Sequence, residues 1–329
     1  MKNVWVLIVL VPALLNAVPQ NVEPEDWQQR MQLAQQHQRA RRMKDAEGIL
    51  RRLLAEGEAT DPQPVWVAAV WNNLGNLYQD LGQVEKALGC YQRSVRLWEK
   101  LVGGADPALI PPLNNLATLY AEQGRYAEAE ALHERSLEIR IRHYGRNHTR
   151  VAIGLSNMAE LLNRRGDTRR AEQLLREALA IWEAHPGAEP LAEGVALNNL
   201  ATSIKDKREA EELLLRANQL LESAAPGGVE RIRTLTNLGL LYATTGRLNQ
   251  AEPALRQALE IAERVWGPDH PELGSMLQDY ARVLNRLGRN EEARQAGARS
   301  RQILNTALPR KMSDYVIHHE DLRRETKPH

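Results

Sequence analysis

Residues 113–139 read LNNLATLYAEQGRYAEAEALHERSLEI. Leu113, Leu116, Ala117 and Tyr120 fall at i, i+3, i+4 and i+7, so one face of a helix is apolar. Gly124 interrupts the pattern, and a second amphipathic run follows with Ala129, Leu132, Ser136 and Leu137 on its inner side. A helix, a turn and a helix of this size cannot bury their apolar faces alone. They need neighbours of the same kind.

The chain supplies them. NNLGNLY carries Asn73, NNLATLY carries Asn115, SNMAELL carries Asn157 and NNLATSI carries Asn199, each a step of 42 residues. TNLGLLY places Asn237 38 residues on, and QDYARVL places Asp279 a further 42 on. Upstream, MQLAQQH puts Gln32 at the same place, 41 residues before Asn73. That makes seven repeats. A turn glycine recurs as Gly82, Gly124, Gly166, Gly246 and Gly288, and a small residue opens the second helix as Ala46, Ala87, Ala129, Ala171, Ala210, Ala251 and Ala293. A fixed period in this range predicts an all-α fold, a right-handed superhelical solenoid of stacked helical hairpins with one concave side.

The pattern resembles the tetratricopeptide repeat, and specifically the longer form found in kinesin light chains. Residues 114–139 and the link WGPDHPEL at 266–273 carry the resemblance, with weaker copies of the link in YGRNHTRV at 144–151 and GGADPALI at 103–110. It covers about residues 25–305. Two repeats depart from it. NNLATSIKDKREAEELLLRANQ lacks the turn glycine and about three residues, with Ile204 in the place of Tyr, which predicts a tighter turn and a local change of superhelical pitch. The first repeat has His37 at the Tyr place and Arg41 at the glycine place, as an atypical capping repeat would.

Both ends lie outside the pattern. Lys2, an apolar run from Val4 to Leu15 and small Ala17 follow the order of a secretory leader, so residues 1–17 read as a signal peptide or, uncleaved, as an N-terminal anchor. The run is shorter than the ~20 residues that span a bilayer. This predicts an extracytoplasmic protein, periplasmic or secreted, with membrane attachment only if the segment is retained. Residues 306–329 read as a tail, with a short helix near Ser313–Arg324 able to cover the last exposed apolar face.

Bulk chemistry excludes several functions. With 43 Lys+Arg against 42 Asp+Glu, no electrostatic case exists for nucleic acid. Cys90 is the single cysteine, so an intramolecular disulfide and a thiolate metal cluster are both excluded, and it reads as a buried thiol. No GxSxG, HExxH, P-loop or glycine fingerprint occurs, and no strand pattern. The expectation is a non-enzymatic chain with no cofactor or metal. His148, His185 and His270 read as caps and packing residues at the links, and the His318–His319–Glu320–Asp321 group as solvated tail. Trp71, Trp98, Trp182 and Trp266 read as packing between repeats.

The Asn column is the candidate site. At 100° per residue, Asn115 sits ~150° from the centre of its helix's apolar face, on the side that lines the groove. Asn is a mediocre helix former, so repeating it in mid-helix has a cost that some use of the amide must offset. One use is bonding to the neighbouring repeat; the other is pairing with an extended peptide backbone. The resemblance implies the second, an amide ladder of Asn73, Asn115, Asn157, Asn199 and Asn237 clamping a peptide. Asn72, Asn114 and Asn198 beside it, with Asn76, Thr118, Glu160 and Thr202, would set specificity. Arg233, Arg282 and Arg286 would make the C-terminal end basic, fit for an acidic side chain or a terminal carboxylate. The reading is an interaction scaffold for a peptide or protein segment; the alternatives are a membrane-tethered adaptor and a peptide-responsive sensor-regulator.

Overall fold

The computed structural model describes residues 24–60 and 63–307. The expected leader at 1–17 and the expected helix near Ser313–Arg324 lie outside the described residues. All regular structure described is helical, in seven antiparallel pairs. They are α1 (Pro24–Arg39) with α2 (Met43–Glu58), α3 (Trp66–Asp80) with α4 (Val84–Val102), and α5 (Ile110–Glu122) with α6 (Tyr126–Tyr144). Next come α7 (Thr149–Arg165) with α8 (Thr168–Glu183), α9 (Pro190–Ser203) with α10 (Lys207–Ala224), α11 (Val229–Thr244) with α12 (Leu248–Trp266), and α13 (Pro271–Arg286) with α14 (Asn290–Ala307). The chain divides into two compact units, one ending at His185 and one beginning at Pro186. Among the described residues no helix is long and apolar enough to cross a membrane.

Local chemistry sets the helix limits. Pro271 occupies the first turn of α13, where its missing N–H costs nothing, and His270 caps it by accepting from the Glu272 N–H at 3.2 Å. His148 does the same for α7, accepting from Arg150 N–H at 3.1 Å. The hairpin turns need a left-handed residue, which glycine supplies at Gly124 (φ 76°) and its counterparts. At the first turn Arg41 adopts φ 60°, the one non-glycine among the described residues to do so, at a cost of ~1 kcal/mol.

The repeat without a turn glycine corrects an expectation. Its connection, residues 204–206, is as long as residues 123–125 between α5 and α6, so the turn is not tighter. The missing residues come out of the helix. α9 ends four residues after Asn199, whereas α5 runs seven residues past Asn115. Removing about one turn from a helix end keeps the face that the helix buries. Ile204 leaves the helix in an extended conformation, and Asp206 caps α10 by accepting from Arg208 N at 2.8 Å and Glu209 N at 3.3 Å. Asp206→Ala is expected to cost ~1 kcal/mol, read as a lower denaturant midpoint with unchanged slope.

The alanines opening the second helices are buried at 0–4 % exposure, which lets paired helices approach closely. In the first unit one core runs from Met31 through Leu50, Leu77, Tyr91 and Leu113 to Leu161. In the second, cores gather around Leu214, Leu238 and Leu255, and around Ile232, Leu259 and Leu277. Trp182 is 1 % exposed and Trp98 7 %, while Trp71 lies under Arg93 and Trp266 stacks on His270. Trp98 and Trp182 are buried, and Trp266 bridges to the next pair, whereas the contact of Trp71 with Arg93 lies within its own pair.

The outer face of α13 and α14 is a groove of about 520 Å³ lined by Arg282, Asn285, Asn290, Gly297 and Arg301 among others. Forty-two residues earlier, on α11 and α12, the same places hold Leu240, Ala243, Leu248, Leu255 and Leu259. The sequence reading expected an exposed apolar face here for the tail to cover. The face is mixed, with Ala281, Ala293 and Gly297 beside Arg282, Asn285 and Arg301, and the tail lies outside the described residues.

Candidate functional site

Each Asn of the column is half-buried on the first helix of its pair. Asn115 Nδ2 donates to Asn72 Oδ1 at 2.9 Å and to Asn76 Oδ1 at 3.0 Å, joining α5 to α3. Asn237 Nδ2 donates to Asn198 Oδ1 at 2.9 Å, joining α11 to α9. Asn73 Nδ2 donates back to the Ala69 carbonyl at 2.9 Å, and its Oδ1 accepts from Gln35 Nε2 of α1 at 3.1 Å. At Asn73, Asn115 and Asn237 the column therefore cross-links neighbouring first helices. Two further amides extend it: Gln38 donates to Asp80 at 2.6 Å, and Gln79 to Glu122 at 3.3 Å. Desolvation beside Gln79 holds the Glu122 carboxyl, at the exposed end of α5, above its usual pKa.

Asn72, Asn114 and Asn198 take a different place from the one expected. They are 4 %, 4 % and 8 % exposed. One residue before the column the side chain turns 100° toward the adjoining helices. These three are internal partners, and Asn72 and Asn198 serve as the acceptors just described.

The rung at Asn157 differs. Its Nδ2 is buried without a partner. The counterpart of Asn72 is Asn114, whose Oδ1 lies 3.3 Å from His133 Nδ1 on α6. At Asn199 the main-chain carbonyl accepts from Thr202 Oγ1 at 2.9 Å and Ser203 Oγ at 2.7 Å, closing the shortened end of α9. Arg286 is committed to the fold, donating to the Ala243 carbonyl at the end of α11 at 2.7 Å. Arg282 is exposed and pairs with Asp279 one turn away; Arg233 is exposed; Glu160 pairs with Arg164 at 2.9 Å.

The sequence reading missed a polar cluster inside the first unit. His133, Ser136 and Arg140 of α6 are 6 %, 1 % and 6 % exposed. Burial, and then the Arg140 charge, pulls the His133 pKa down to about 4. Burial lowers Arg140 to about 10, so it stays charged at neutral pH. Its Nη1 donates to the Arg150 carbonyl at 2.9 Å; Arg140 Nε and Ser136 Oγ have no partner. Gly154 on α7 makes the room: a Cβ there would stand 3.0 Å from Arg140 Cδ. The signal lay in columns not compared. Eighteen places after the Asn, neighbouring repeats have Tyr91 and Leu175; 25 places after it they have Trp98 and Trp182.

The tetratricopeptide repeat profile matches residues 66–142, 112–184, 193–264 and 230–306. Among solved structures, BtubC (BKLC) from P. vanneervenii is 22 % identical with TM-score 0.57, over 71 % of this chain and 93 % of that one. The apo form of RapI is 13 % identical with TM-score 0.60, over 84 % and 97 %. A Rap protein complexed with Competence and Sporulation Factor is 16 % identical with TM-score 0.57, over 85 % and 75 %. At such identities these likenesses speak to the fold alone, and the family rests on the matched repeats, which span most of the sequence. The chain belongs to the tetratricopeptide repeat family.

Proposed function

We propose that this chain is a non-catalytic interaction scaffold that binds a peptide or protein segment along the exposed side of its first helices. The observation that carries the reading is how Asn115 and Asn237 are held. Each ties its Nδ2 to the preceding repeat, stays half-exposed, and has an Oδ1 that accepts no bond among the described residues. An amide already fixed on one side offers its acceptor without further loss of side-chain entropy, so it can take a backbone N–H of an extended partner. Asn73 and Asn157 join Asn115 in the first unit, and Asn199 joins Asn237 in the second, where exposed Arg233 and Arg282 favour an acidic partner. A Rap protein of similar fold, complexed with Competence and Sporulation Factor, supports a ligand-taking array. The leader pattern at residues 1–17 supports action outside the cytoplasm, and mass spectrometry of the expressed protein reads whether that segment is removed.

The test begins with a crosslinking pull-down to identify the partner. Asn115→Ala and Asn237→Ala are then compared for affinity and melting. Each loses ~1–3 kcal/mol of stability, because a buried acceptor is orphaned, and weakens the partner ~3–10-fold. Reduced stability with unchanged affinity would make the column purely structural and sink the peptide reading.

A further inference from the structure

The second helices carry their apolar stripes unequally. α8 buries Leu175, Leu179, Ile181 and Trp182, and α12 buries Leu255, Leu259 and Ile261. On α6 the buried apolar residues are Ala129 and Ile139 alone; the other buried positions are His133, Ser136 and Arg140. His133 and Arg140 thus stand where neighbouring repeats have Tyr or Leu and Trp, Ser136 lies between them, and Ser136 Oγ and Arg140 Nε have no partner. α6 is the second helix with least apolar burial and most unsatisfied polar burial in the first unit.

We propose that α6 is a proton-operated weak point of the first unit: charging His133 loosens α6 from α5 and α7. No charge that faces the imidazole favours its cation. On α6 itself the nearest charge is Arg140. From α5 comes Asn114, which is uncharged, while Tyr120 and Glu122 of that helix are engaged with Gln92 and Gln79. From α7 comes Arg150, a second cation acting on Arg140, while Glu160 is paired with Arg164. The 3-10 turn Pro107–Leu109, also against α6, has no titratable side chain. A proton on His133 would be a second positive charge in a dry layer without a carboxylate among these neighbours, and opening the helix to water is the relief. The sign is fixed. The folded pKa, about 4, lies below the free value of 6.5, so the open form binds more protons. The stability of α6 is complete above pH ~6.5 and falls as pH drops toward 4. Because stacked repeats interact only with nearest neighbours, such loosening stays local.

The experiment is hydrogen exchange read by mass spectrometry on the full chain at pH 7.5 and 5.0, corrected for intrinsic rates. The opening constant of residues 129–140 is expected to rise roughly 30-fold at the lower pH, while residues 87–98 and 171–182 change little. His133→Leu, the residue type of Leu175, Leu214 and Leu255 at the same place, should abolish the rise. His133→Gln, polar but without a titrating proton, should abolish it too and serves if the leucine variant misfolds. No rise in the wild type, a rise equal in all three segments, or a rise that survives in either variant overturns the proposal.

Discussion

Tyr91→Ala is expected to lower the stability of the first unit by ~3–5 kcal/mol. The ring is fully buried at 0 % exposure, and it faces Gly75 so closely that a Cβ at 75 would stand 2.5 Å from it. Truncation leaves a cavity that this close-packed pair of helices cannot collapse, because glycine has nothing to move into it. The phenol also reaches the amide network, with Oη 2.8 Å from Asn76 Oδ1 and 2.7 Å from Gln79 Oε1. Tyr91→Phe keeps the ring and removes only the hydroxyl, so it should cost ~1 kcal/mol. The neighbouring residue gives the readout. Cys90 is the only cysteine, it is 4 % exposed, and burial pushes its thiol up to about 11. Its labelling rate therefore reports opening of α3 and α4 without interference from the second unit. Labelling of the alanine variant within ~5-fold of wild type would show that the ring is not the anchor described.

Arg140→Met is expected to do the opposite and stabilise the first unit by ~1–3 kcal/mol. Its guanidinium is 6 % exposed, remains charged at neutral pH, and has one bond, to the Arg150 carbonyl, to offset the loss of water. Methionine keeps the length of the stem against Gly154 and removes the charge. The denaturant midpoint should rise with the slope unchanged. A fall would mean that the bond to Arg150 outweighs the buried charge. The substitution also removes the cation that acts on His133 and brings its folded pKa nearer the free value, so the loss of stability on acidification should begin at the same pH and be smaller than in the wild type.

How much was legible depends on how far each inference looked from its own helix. The repeat period, the alanine column and the helix starts at His148 and His270 follow from neighbours in sequence, and they match the structure. The inner side of α6 was legible only in part. Hydropathy puts Ala129, Leu132, Ser136 and Leu137 inside, but the buried set is Ala129, His133, Ser136, Ile139 and Arg140. Both sets are centred on the same side of the helix; Leu132 and Leu137 lie half-buried at its edges, while His133 and Arg140, which hydropathy does not place in a core, lie near its middle. Asn72, Asn114 and Asn198 were misplaced for a related reason. A helical wheel gives an angle from the apolar face, and it does not say that the preceding hairpin occupies that angle. Asn115 was legible as a candidate since its column repeats; its bonds to Asn72 and Asn76 required two repeats in contact. Arg286 looked like a groove cation because its carbonyl partner, Ala243, lies 43 residues away.

The mixed outer face of α13 and α14 bears on how repeats of this kind can stack. Stacking is a nearest-neighbour process, so a duplicated repeat inserted anywhere before α13 meets faces of the kind it left behind. One appended after Ala307 meets Arg282, Asn285 and Arg301 where Leu240, Ala243 and Leu259 stand one repeat earlier. Arginine and asparagine at these places make the α13–α14 face a poorer seat for a further hairpin than the leucine-bearing face of α11 and α12.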